Sequence, residues 1–217
     1  MATVKARDLI EAAGKEVYVV PNSFLDLLED GRVPRDRLAW LAGEQHWILK
    51  SDQRSFALLA ARFPEPPSGE MFLSLSGGEI EARRLLTAYG DAVGADETYL
   101  QRYEPRPMAQ TYPAFLAWSA INGTLSGITL AMLANLGIWG SYCARTADAL
   151  ISRYGLSEEA VAFFRFFSET PPGFQEQATA VVQAGLDAGE DPATALRMVR
   201  ALQAYEVAFW NALSEDL

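Results

Sequence analysis

The sequence predicts an all-α fold, a single helical bundle of about eight or more helices around a central enclosed pocket. Three observations carry that expectation. Apolar residues recur at helical spacing along nearly the whole chain, and no segment alternates in the manner of a β-branched strand. The 38 residues from Pro107 to Ala144 contain no Asp, Glu, Lys or Arg. With 217 residues, half of them apolar, and no internal repeat or low-complexity linker, residues 1–217 are expected to form one domain.

The elements follow in order. Val4 to Val19 reads as a first helix closing on the Pro21-Asn22 turn. Asn22 and Ser23 can cap a short apolar helix, Phe24 to Leu28, that ends at Asp30-Gly31. Pro34 suits a first helical turn, and Leu38, Leu41, Gln45, Ile48, Leu49 and Phe56 carry a long helix to Phe63. The run Pro64 to Gly69, rich in proline, stops it. Further helices are expected from Gly69 to Tyr89 and from Asp96 to Tyr103. The charge-free region then divides into Tyr112 to Asn122 and Ser126 to Tyr154, with Gly155 as C-cap. Ser157, followed by Glu158 and Glu159, opens a helix through Phe167, and Pro171-Pro172-Gly173 breaks it. Phe174 to Ala188 and Pro192 to Leu213 complete the set.

A membrane span needs about 18 or more consecutive apolar residues. Here Pro113, Asn122, Gly123, Thr124, Ser126, Gly127, Asn135 and Gly137 interrupt the run, and no one-sided Lys/Arg cluster sets an orientation. Lys5 and Arg7 lead into no apolar core, so a signal peptide is not indicated. No membrane partner is expected; the segment reads as two buried helices whose polar residues need partners, which a ligand can supply. The 18 basic and 28 acidic residues give a net charge of −10, which argues against nucleic acid. A lone cysteine fits a reducing cytoplasm. With one histidine and one cysteine, neither a His/Cys zinc site nor a set of Glu-x-x-His pairs can be built, so neither a metal nor another cofactor is expected.

The closing helix reads Tyr205-Glu206-Val207-Ala208-Phe209-Trp210-Asn211-Ala212. A Glu followed by x-x-Phe-Trp resembles the closing helix of the TenA/thiaminase II family, within the heme-oxygenase-like superfamily that also contains the pyrroloquinoline quinone synthesis protein PqqC. Asn22-Ser23-Phe24-Leu25 through Gly31, then Leu38 to Leu41, Glu44 and Trp47, resembles the family's short helix, glycine turn and long aromatic helix. Tyr112 through Tyr142 resembles its central pair of helices. The resemblance implies hydrolysis of thiamin or its aminopyrimidine breakdown products. It also implies an acidic residue on the long helix holding the pyrimidine, a cysteine nucleophile on a central helix, and a closing Glu as acid/base. Glu44 then stands where the family has an Asp, Trp47 replaces a Tyr, and Glu206 matches. The family's Cys-x-Trp-x-Tyr aligns onto Gly137-Ile138-Trp139-Gly140-Ser141, without the nucleophile or the final aromatic.

Cys143 lies roughly 120° around the helix from Gly137, and a buried structural thiol is its ordinary reading. Phe163 to Ser168 carries none of the His and Asp ligands of the superfamily's metal-dependent oxidases. A heme reading would use His46 as axial ligand and Gly123 to Gly127 as the distal helix, although paired glycines more often mark close helix packing. The expected enzyme is cytoplasmic and metal-free, with Glu206 and Glu44 as its catalytic carboxylates. Trp47, Tyr112, Asn135, Trp139, Tyr142, Phe167 and Tyr205 would line a site for a small planar substrate, and the family implies a homo-oligomer. The alternatives are a non-catalytic binding or partner protein on the same fold, or an oxidative enzyme akin to PqqC or heme oxygenase.

Overall fold

A computed structural model describes residues 5–17 and 21–217. Within them the chain is helical, with no strand: α1 (Ala6–Glu16), α2 (Ser23–Glu29), α3 (Arg35–Arg62), α4 (Ser68–Val93), α5 (Glu97–Arg102), α6 (Thr111–Asn122), α7 (Leu125–Tyr154), α8 (Ala162–Ser168), α9 (Phe174–Asp187) and α10 (Pro192–Ser214). Of the first helix as expected, Val4, Tyr18 and Val19 lie outside the described residues.

Local chemistry explains the main boundaries. The Asn22 side chain accepts from the backbone N–H of Leu25 at 3.1 Å and starts α2. Asp191 accepts from the N–H groups of Ala193 and Thr194 and starts α10 with Pro192 in its first turn. Gly155 ends α7 at φ +71°, the left-handed conformation that favours glycine. Two boundaries depart from the expectation. Helix α4 continues one turn past Tyr89 to Val93, where Gly94 closes it in the left-handed conformation at φ +81°. The Ser157 hydroxyl accepts from the Ala160 N–H at 3.2 Å, closing a turn ahead of α8 rather than opening the helix itself.

The long helices α3, α4, α7 and α10 set the architecture. Helix α3 packs on α4 and α6, and α7 packs on α2, α8, α9 and α10. Helix α7 is long and apolar enough to cross a bilayer by length and composition, yet 44% of its apolar window is buried inside the bundle. Buried apolar side chains form two clusters. One gathers Phe24, Leu38, Leu49, Phe163, Phe164 and Trp210; the other gathers Phe56, Phe72, Leu116, Ile128, Val182 and Leu202. Each fully buried side chain of this size contributes about 1.5–3 kcal/mol. Tyr112 packs against both clusters, and a cavity opens at their junction.

Candidate active site

A cavity of about 110 Å³ lies between α3, α4, α6, α7, α8 and α10. Helix periodicity decides which side chains reach it. On α3, Gln45, Ile48, Leu49, Asp52 and Phe56 recur at three- and four-residue spacing and share one face. Helix α4 adds Leu75 and Glu79, and α6 adds Tyr112. Met132, Asn135, Leu136 and Trp139 come from α7, and Leu202, Glu206 and Phe209 from α10. Phe167 of α8 closes one wall, its ring 5.9 Å from Trp139.

Glu206 is 6% exposed. Trp210 Nε1 donates to its Oε1 at 2.7 Å, and Asn135 Nδ2 stands 3.5 Å from Oε2, the outer limit of a hydrogen bond. Burial pushes the carboxyl up to about 7, while the Trp210 and Asn135 donors hold it from rising further. Asp52 and Glu79 are buried as well. Burial raises both, the Asp52 charge raises Glu79 further, and Tyr112 acts the other way by favouring the Asp52 carboxylate. The Tyr112 hydroxyl, buried among the charges of Asp52, Glu79 and Glu206, is pushed well above its ordinary range and stays a donor. No Lys, Arg or His lines this cavity among the described residues. It is an apolar, flat-walled space that offers three carboxyl groups, two amides and a phenol as hydrogen-bond partners to a small ligand.

Of the residues expected from sequence, the cavity holds Glu206, Tyr112, Asn135, Trp139 and Phe167. Glu44, expected to hold a substrate edge, does not line the cavity. It is fully buried, one residue and so about 100° around α3 from Gln45. Its Oε1 accepts from the Tyr103 hydroxyl at 2.7 Å and the Arg106 N–H at 2.8 Å, and Oε2 accepts from Gln110 Nε2. Those bonds use the carboxylate to anchor the segment between α5 and α6. Trp47 turns the same way, with Nε1 donating to the Tyr103 carbonyl at 3.3 Å. Tyr142 stands behind the wall, edge-on to Trp210 at 5.4 Å. Tyr205 packs on Phe115, ring centroids 5.2 Å apart, because its position next to Glu206 turns it off the cavity face.

The geometry also bears on the nucleophile position and on the heme reading. Gly137 is exposed, and a side chain there would meet open space, so a nucleophile at that position would point away from the cavity. The α7 residues that face inward are Met132, Asn135, Leu136 and Trp139, none of them a nucleophile. Cys143 is 1% exposed and not part of the lining, and burial with the nearby Glu206 charge pushes its thiol well up. The residues do not fit a heme. His46 lies outside the cavity with Nε2 2.7 Å from Lys50 Nζ, and burial together with Lys50 and Arg83 lowers it to about 4. A Cβ on Gly123 would meet the Ser119 carbonyl and Ile128, and one on Gly127 would meet Met198 and Thr124, so both glycines serve close packing. Among the described residues, no group of three or more His, Cys, Asp or Glu is placed to hold a metal ion.

Sequence reasoning missed Asp52, Glu79 and Gln45. A signal existed for the first two. Asp52 sits four residues from both Ile48 and Phe56, and Glu79 sits four from Leu75 and three from Ala82. Each is an acid on an otherwise apolar stripe.

The model of the TENA/THI-4/PQQC family matches residues 10–216. Among solved structures, a TenA homologue protein from P. horikoshii OT3 is similar at a TM-score of 0.69 and 14% identity, over 96% of this chain and 95% of that one. A domain of unknown function with a heme oxygenase-like fold from Shewanella denitrificans OS217 gives a TM-score of 0.72 at 13% identity, over 97% and 89%. A TenA homolog from Pseudomonas syringae pv. tomato str. DC3000 gives 0.71 at 10% identity, over 97% and 91%. No curated protein matches the chain. At these identities the likeness establishes the heme-oxygenase-like fold.

Proposed function

The chain belongs to the TENA/THI-4/PQQC family, and from that premise we propose that its cavity binds and hydrolyses a small planar, N–H-bearing substrate of the aminopyrimidine kind. The observation that carries the proposal is Glu206, a buried carboxyl in the cavity wall held near neutrality at about 7. Both of its protonation states are populated near pH 7, which suits a group that must first take a proton and then return it. In the step proposed, ionised Glu206 accepts a proton from water while the water oxygen bonds to the substrate carbon. The carbon–nitrogen bond breaks, and Glu206 returns the proton to the departing nitrogen. Asn135 and Trp210 aim the carboxylate, and Trp139, Phe167 and Phe209 offer flat walls for the ring.

A non-catalytic binding protein is the second reading. It is favoured by the cavity lining, which contains no Ser, Thr, Cys, Lys or His among the described residues. A thermal-shift panel of thiamin, its hydroxymethyl- and aminomethyl-pyrimidine fragments, and flavins tests the substrate class. Binding to the native state raises the melting temperature by mass action. Stabilisation by a pyrimidine, weakened in Asp52→Asn and Glu206→Gln, is expected. No shift with any pyrimidine would remove this class of substrate from the account.

A further inference from the structure

Asp52 of α3 and Glu79 of α4 face one cavity from two helices, 4% and 8% exposed. Asp52 Oδ1 and Glu79 Oε2 have no hydrogen-bond partner. A buried carboxyl oxygen left unpaired costs stability, and natural folds rarely keep two side by side without a use. The Asp52 charge raises Glu79, whereas Glu206 is held by Asn135 of α7 and Trp210 of its own α10. Tyr112 feels all three. The cavity has two acidic poles, the Asp52–Glu79 pair on α3 and α4 with its orphan oxygens and the hydrogen-bonded Glu206 on α10, with apolar side chains such as Phe56, Met132 and Leu136 also in its wall.

We propose that Asp52 and Glu79 form a second binding pole for an alkylammonium or amidinium group, so that the ligand carries two basic nitrogen centres joined by a short apolar spacer. A cation placed between the pair supplies the donors that the orphan oxygens lack. It also compensates the charge that burial penalises, allowing one of the two carboxyls to ionise while the other keeps its proton. Glu79 is then the residue that distinguishes a doubly basic ligand from a singly basic one. The inference rests on the cavity being the substrate site, but not on Glu206 being catalytic.

Isothermal titration of the purified chain with 1,4-diaminobutane and with butan-1-amine separates the two ligand classes. The diamine is expected to bind at least about tenfold tighter, the increment of one charge-assisted hydrogen-bonded contact. Glu79→Gln should remove most of that difference. Glu79→Leu fills the site with an apolar side chain; it should raise the melting temperature of the free protein and still lose the diamine preference. A merely structural Glu79 would instead lower the melting temperature on replacement. Equal affinity for diamine and monoamine in the wild type, or an undiminished preference in both Glu79 variants, would overturn the proposal. Turnover of a pyrimidine unaffected by Glu206→Gln would count against the acid/base reading alone.

Discussion

At Glu206 the fold spends stability to keep a carboxyl near neutrality. Its folded value is about 7 against an ordinary 4.5, so the native state binds the proton more tightly than the unfolded chain. Stability from this group is therefore fullest below about pH 4.5 and is lost as pH rises through about 7, by on the order of 3 kcal/mol. Asp52 and Glu79 have the same sign and extend the decline to higher pH. Urea midpoints at pH 5 and pH 8 should show the ligand-free protein more stable at pH 5, with a smaller gap in Glu206→Gln. Trp210→Phe removes the indole donor at 2.7 Å that favours the carboxylate. Its pH–rate profile should move to higher pH, and an unmoved profile would mean that another group titrates. Glu206 was legible from its place beside the apolar stripe of its helix and from the x-x-Phe-Trp that follows. Asp52 and Glu79 were equally legible as acids on apolar faces, but nothing in the sequence alone places those two faces opposite each other.

Individual helices carry their own consequences. Glu190, in the turn between α9 and α10, accepts from the first two N–H groups of α7, Leu125 at 2.8 Å and Ser126 at 2.6 Å. Gly185 leaves room for that carboxylate, since a Cβ there would collide with Glu190 and Ser126. Glu190→Ala should cost about 1–2 kcal/mol in denaturant unfolding, the scale of a lost helix cap. Glu44→Ala strips the acceptor from Tyr103, Arg106 and Gln110 and should cost about 2–4 kcal/mol. Pyrimidine affinity in that variant should stay nearly unchanged, because Glu44 serves the segment between α5 and α6 rather than the cavity. Helix order and most boundaries were readable from periodicity, caps and glycines. The face that each helix turns inward at a given residue was not, because a single position is worth about 100° of rotation. That rotation separates Glu44 from Gln45 and Tyr205 from Glu206, and it also turns Gly137 outward.

At the scale of the molecule, the long charge-free segment is what a bundle needs at its centre. Most of α7 and part of α6 supply the walls on which both apolar clusters close. The cavity lies where those clusters meet, so its lining comes from six helices spread from Gln45 to Phe209, a juxtaposition that depends on helix offsets. What a sequence does convey is that the centre is apolar with a few polar groups and that the chain carries a single histidine. The proposal is that a buried carboxyl, without a nucleophile beside it, performs acid/base hydrolysis. Steady-state turnover of the pyrimidine panel by the wild type and by Glu206→Gln of unchanged circular dichroism tests it most directly. Turnover of at least one member is expected, falling about 10²–10⁴-fold in the variant. Equal turnover in the two proteins, or binding without turnover in both, would contradict it.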